Sequence, residues 1–179
     1  MKRLVLAIAL CSAAFTAWAQ HQPYAGHQDR AIKALSAEEI EQYLSGSGMG
    51  FAKSAELNGY PGPMHVIELA DKLLLTPTQR IQTQALMDEH KRAARELGAR
   101  LVAAERELEQ EFRTGAIEAA ALEQSVQSAS RLQSQYRLSH LETHRRMRML
   151  LSTDQLERYA MLRGYGDRAG DAPAPMRHH

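Results

Sequence analysis

Two stretches of this 179-residue chain limit its folds more than any other feature. From Pro77 to about Arg113 there is no internal proline, and the only glycine is Gly98. After "RTG" breaks that run at Gly115, a second run from about Ile117 to Leu150 again lacks both residues. Both are rich in Ala, Leu, Glu, Arg and Gln, which favour helix, and poor in β-branched residues. At about 1.5 Å per residue each run spans about 50 Å. A chain of this size cannot enclose helices that long in a ball, so the expected fold is all-α: an elongated antiparallel hairpin of two long helices. Its exposed apolar flanks favour a homodimer.

The helix boundaries are spelled out locally. "LTPTQ", Leu75 to Gln79, has a near-copy in "LSTDQ", Leu151 to Gln155. Thr76 and Ser152 are strong N-caps, and a Gln three residues later can return to the cap's own backbone N–H, closing a capping box. Pro77 occupies the first helical position, where its missing N–H costs nothing. The first copy opens the long hairpin and the second a short final helix over 153–163, ended by "RGYGD". Upstream, Ser36 and Glu39 form another capping box, predicting a short helix over 37–44. A second short helix is expected in "FAKSAELNG", and a third from Pro63 through "MHVIELADKLL". These short helices are expected at the open end of the hairpin. Residues 20–35 read as a flexible lead, 36–165 as the helical domain and 166–179 as a disordered tail.

The amino terminus reads as an export signal over residues 1–19. Lys2 and Arg3 precede the apolar run "LVLAIALCSAAFTA", and Ala17 and Ala19 supply a small-x-small cleavage pattern. The run is short for a membrane anchor. Cys11 is the only cysteine, so cleavage leaves neither a disulfide framework nor a thiol ligand. Loss of Lys2 and Arg3 also takes the net charge from +1 to −1, which argues against a nucleic-acid partner. The expected location is the periplasm, with no stable membrane anchor after cleavage.

Along one face of the second long run lie Tyr136, His140, His144, Met147 and Leu151. Leu86, His90, Leu97 and Leu101 form a similar stripe on the first. Folding the hairpin at residues 114–115 sets residue 90 opposite about 139. His90, His140 and His144 are therefore expected to converge inside it. Three imidazoles suit zinc, copper or nickel, with Met147 as a soft fourth ligand. The same residues would serve equally as interior histidines bonded to Glu or Gln neighbours. Met64, His65 and Glu68 make a second candidate ligand group, against a reading in which Met64 is core. The terminal His178 and His179 are either a metal-catching tail or simply chain end.

Charge is segregated as well. Arg131 to Arg163 holds seven Arg against three acids, whereas Glu105 to Glu123 holds six Glu against two Arg. Arg137, Arg145, Arg146 and Arg148, interleaved with Met147 and Met149, make an adaptable surface for unfolded clients. The alternative is that these arginines pair with the Glu-rich stretch and merely solvate the helix. The chain carries no nucleophile with a recognisable base, no glycine-rich phosphate loop and no HExxH motif, so an enzyme is not expected.

Two LTxxQ-type motifs behind an export signal resemble the LTxxQ superfamily, the Spy/CpxP group of periplasmic stress proteins. Its relatives include periplasmic heavy-metal sensors and zinc-resistance-associated proteins. The resemblance covers about residues 60–165 and gives Leu75, Thr76, Gln79, Leu151, Ser152 and Gln155 a structural role. It implies a cradle-like helical dimer that holds unfolded or misfolded envelope proteins without ATP, or that contacts a sensor kinase or anti-sigma partner. The function expected first is thus a chaperone or envelope-stress adaptor, and the alternative a metal-binding sensor or resistance protein. The metal-sensing relatives carry an HxxxH near their amino terminus, whereas here it lies late, at His140 and His144.

Overall fold

The structure is a computed structural model and describes residues 23–165. The export signal, His178, His179 and the rest of the expected tail lie outside the described residues. Six α-helices follow a 3-10 turn at His27–Asp29: α1 Ala37–Ser45, α2 Lys53–Glu56, α3 Pro63–Glu68, α4 Pro77–Arg113, α5 Ala119–Leu150 and α6 Thr153–Arg163. Among the described residues there is no strand, and no helix is long and apolar enough to cross a membrane. The fold is all-α, built on the long hairpin of α4 and α5.

All three capping boxes form. Ser36, Thr76 and Ser152 each accept from the backbone N–H three residues on, and Glu39, Gln79 and Gln155 each return a side-chain oxygen to the cap's N–H. The buried residues of α5 (Ala129, Leu132, Tyr136, His140, Thr143, Met147) recur at spacings of three or four. This is the seam of two helices packed side by side with a shallow crossing. Towards the turn the seam weakens, and Val126 is 44% exposed.

Two apolar cores lie along the hairpin. One gathers Ile32, Tyr43, Ala94, Leu101, Val102 and Tyr136. The other, at the open end, gathers Val66, Leu73, Leu75, Leu86, Met147 and Tyr159. The short helices do not cluster only at the open end as expected. Lys33 pairs with Glu109 near the turn, α1 crosses the middle of α4, and α3 reaches both legs at the open end. The chain from 23 to 68 therefore runs along one flank of the hairpin. A Cβ on Gly98 would lie 1.9 Å from the carbonyl oxygen of Tyr43, so α1 reaches the backbone of α4 only because residue 98 has no side chain.

Several local expectations are corrected. Within the expected flexible lead, residues 31–33 are attached to the hairpin: Ile32 is 1% exposed in the first core, and Arg113 donates to the Ala31 carbonyl. Burial of one large aliphatic side chain contributes about 2 kcal/mol towards holding this segment on the helix pair. Helix α2 is a single turn, and α3 ends at Glu68, with turns carrying the chain on to Leu75. Helix α5 begins at Ala119, two residues beyond the expected start.

Candidate metal centre

The seam of the hairpin is apolar at both ends and interrupted by one polar layer. Going along α4, Leu86 belongs to the second core and Ala94 to the first, and Met87 and His90 lie between them. On α5 Tyr136 belongs to the first core and Met147 to the second, with His140, Thr143 and His144 between. The histidines thus occupy the junction of the two cores. Their rings face a cavity of about 510 Å³. Its other walls are the glycine-rich loop from Ser45 to Gly50, Lys53 and Glu56 near α2, and Met64 with His65 at the start of α3.

His90 and His140 stand edge to face, ring centroids 4.4 Å apart, and the Tyr136 ring lies 4.8 Å from that of His140. His140 is 4% exposed. His90 Nδ1 and His140 Nε2 are buried and have no hydrogen-bond partner. Burial pushes the His90 imidazole below its ordinary range, helped by His144. Burial, with His90 and His144 nearby, pushes His140 down to about 4. Both rings are therefore neutral at pH 7, with lone pairs free to ligate. Each buried nitrogen without a partner costs about 1–3 kcal/mol, so two apolar side chains here would make a more stable seam.

His144 is held differently. Its Nδ1 lies 2.7 Å from the Tyr60 carbonyl and 3.7 Å from Glu56 Oε2. Because a carbonyl only accepts, Nδ1 carries the proton and Nε2 the lone pair. Gly62 makes room for the ring: a Cβ there would sit 3.0 Å from His144 Cε1. Glu56 also accepts from Gly62 N and from the Tyr159 hydroxyl, which ties α6 to this wall. His65 Nδ1 lies 3.0 Å from Glu68 Oε2.

The three expected histidines meet at one cavity, but their nitrogens do not make a closed ligand set. Among the described residues no group of three or more His, Cys, Asp or Glu side chains is placed to hold a metal ion. The donors that fit a metal are the two unpartnered imidazoles of His90 and His140, with thioethers on the same wall. Met147 is not one of these. It is 0% exposed in the second core and does not line the cavity, because α5 turns it towards Val66 and Leu73. Met87, Met64 and Met49 line the cavity instead. Met64 and His65, read from sequence as a separate group, share the cavity with the hairpin histidines. Met87 and Glu56 were missed altogether. Met87 was signalled by its position three residues before His90 on the same helix face, whereas Glu56 had no local signal.

Of the expected client surface, Met147 is the residue that the structure contradicts. Buried Met147 offers nothing to a client. Arg146 makes a two-pronged ion pair with Glu89 at 2.7 and 2.9 Å, and Arg145 pairs with Glu142 at 2.6 Å. Arg148 donates to the Gly59 carbonyl and stacks 4.8 Å from the centre of the Tyr60 ring. Arg137 lies apart from them, beside a shallow cavity with Phe51 and Leu57, and Met149 is 71% exposed. Arg145, Arg146 and Arg148 are engaged within the chain, the first two with acids outside the Glu-rich stretch.

Fold and site together define a helical-hairpin protein with a histidine- and methionine-lined cavity between two cores. The chain belongs to the heavy-metal resistance family, whose family model matches residues 54–158. The match runs from within α2 into α6 and includes all four of the cavity's histidines. No curated protein and no solved structure gives a significant match.

Proposed function

We propose that this protein is an exported heavy-metal-binding protein, serving resistance or sensing in the periplasm, that takes up a transition metal in the cavity between the two cores. The observation that carries the reading is the pair of neutral, buried imidazoles of His90 and His140, each with a nitrogen lacking a partner. An apolar seam would be more stable, and a metal ion supplies what such nitrogens lack. The family's heavy-metal description supports the same reading. His144, held by Tyr60 and Glu56, is a positioning residue whose Nε2 joins if the wall shifts. The glycines of the 45–50 loop allow the wall to move. Because Glu56 also holds Tyr159, metal uptake at this wall has a route to α6 and hence to a partner protein.

Titration calorimetry with zinc, copper and nickel tests the reading. Binding at micromolar affinity or better is expected for the parent, and none for the His90→Leu, His140→Leu double variant. Binding that persists in a folded double variant would move the site elsewhere. Cell fractionation tests the location, with the protein expected in the periplasmic fraction.

The two LTxxQ-type motifs support a Spy/CpxP-like placement within the wider superfamily, and in the structure their glutamines join each other. A chaperone or stress-adaptor role is the second reading. The observation in its favour is the exposed apolar surface at Leu138 and Met149, 62% and 71% exposed. Suppression of client aggregation by the parent, lost on Leu138→Asp with Met149→Asp, would support it.

A further inference from the structure

The donor set narrows the metal. Resting on the metal-binding reading above, we propose that the cavity is selective for a soft monovalent ion, copper(I) or silver(I), ligated by His90, His140 and the thioether of Met87, with Met64 at the entrance. Met87 is 8% exposed, precedes His90 by three residues on α4 and lines the same cavity. Copper(I) is satisfied by two or three soft ligands, so two imidazoles and one thioether complete it. Zinc and nickel require further nitrogen, oxygen or thiolate donors; the third imidazole, His144, is held at Nδ1 by the Tyr60 carbonyl, and as placed the described residues bring no three such side chains around one ion. The nearby carboxylates are already engaged, Glu56 with Gly62 and Tyr159, and Glu68 with His65.

Charge argues the same way. Two lysines, Lys53 and Lys91, stand on the cavity wall against one carboxylate, Glu56. The excess positive charge repels a divalent ion twice as strongly as a monovalent one at the same distance. The cost of taking an ion out of water rises with the square of its charge, which favours the monovalent ion in the same way. The backbone of Met49 is held at φ 45°, a conformation unfavourable for its side chain, beside this cavity. Strain of that kind collects at ligand sites.

The test uses the protein recovered from expressing cells, with Cys11→Ser if that residue is retained. Copper(I), kept reduced by ascorbate, is titrated against a chromophoric copper(I) chelator. Silver(I) serves as the redox-inert probe, and zinc(II) and nickel(II) are measured by calorimetry. One copper(I) per chain is expected, bound at least 100-fold more tightly than zinc or nickel. Met87→Leu, which keeps the packing volume, should weaken copper(I) at least tenfold and leave any zinc binding unchanged. In protein with 13C-labelled methionine methyls, silver(I) should shift the Met87 resonance and leave that of exposed Met149 in place, a readout independent of any variant's folding. Tighter histidine-dependent zinc or nickel binding, or an unmoved Met87 methyl, would overturn the soft-metal assignment and leave the metal-binding reading standing. Failure of every ion to bind would remove both.

Discussion

Gln79 and Gln155, one from each copy of the five-residue motif, hydrogen-bond each other side chain to side chain. Gln79 Nε2 donates to Gln155 Oε1 at 2.8 Å, and Gln155 Nε2 donates to Gln79 Oε1 at 3.0 Å. Each oxygen also accepts from the N–H of its own cap, at Thr76 and Ser152. The amide of Gln79 reaches the Leu150 carbonyl as well, and that of Gln155 the Leu73 carbonyl. The repeated motif is thus one device in two halves, clasping the start of α4 to the start of α6 across the open end of the hairpin. Replacing either Gln by Ala removes a cap partner and leaves the other glutamine short of one, at about 2 kcal/mol. The double variant should cost less than the sum, with a coupling of about 1 kcal/mol in urea denaturation. Strict additivity would mean that the two boxes act separately.

Gly98→Ala should be severely destabilising. Helix propensity alone predicts a gain of about 1 kcal/mol for this exchange in mid-helix. The added methyl would meet the Tyr43 carbonyl, and backbone cannot yield as a flexible side chain does. A loss of about 3 kcal/mol or more is expected in thermal melts followed by circular dichroism. A stabilised variant would mean that α1 does not lie against α4.

Ile32→Ala should cost about 3 kcal/mol, because the side chain is fully within the first core. A truly mobile lead would lose nothing. Chemical denaturation separates the two outcomes, and trypsin cleavage at Lys33 should speed up in the variant.

Acid should loosen the metal-free protein through its buried histidines. The folded-state pKa of His140, held down to about 4, is below the ordinary 6.5 of the unfolded chain. The unfolded state therefore binds more protons between those values, and stability falls as pH drops through that window. The loss is about 3 kcal/mol, mostly incurred by pH 4, complete about one unit below that and absent above about pH 7. His90 shifts in the same direction and adds to it. In His140→Leu this pH dependence should shrink, and stability at pH 7 should rise by about 1 kcal/mol as an unpartnered buried nitrogen is removed. Unchanged urea midpoints between pH 7 and pH 4.5 in the parent would show that these rings are not dry.

Arg146→Glu should lower stability slightly, seen as a lower urea midpoint, since it sets a carboxylate against Glu89 across the hairpin. Glu89→Arg in the same chain should restore most of the loss. The rescue distinguishes an internal pair from a client-facing charge, for which the second change would do nothing.

What the sequence determined by itself was everything carried by near neighbours. Caps, glycine stops and the absence of breakers act within one or two turns, so the long helices, the final helix and the three capping boxes were legible. The three- and four-residue spacing likewise put His140 and His144 on one face and brought His90 opposite. The tertiary structure decided what each face meets. Met147 and His144 share a stripe on α5, yet α3 and the turns after it cover one, and the loops around α2 shape the cavity beside the other. Met64 and His65 join the hairpin histidines because α3 folds across the open end. Arg146 and Arg148 look free in sequence and are engaged in space, because Glu89 lies 57 residues from Arg146 and Gly59 lies 89 from Arg148. The physical reason is range. Helix formation is decided by backbone bonds four residues apart, whereas a cavity between two cores depends on where a third segment crosses. Here that crossing rests on a single missing methyl at Gly98.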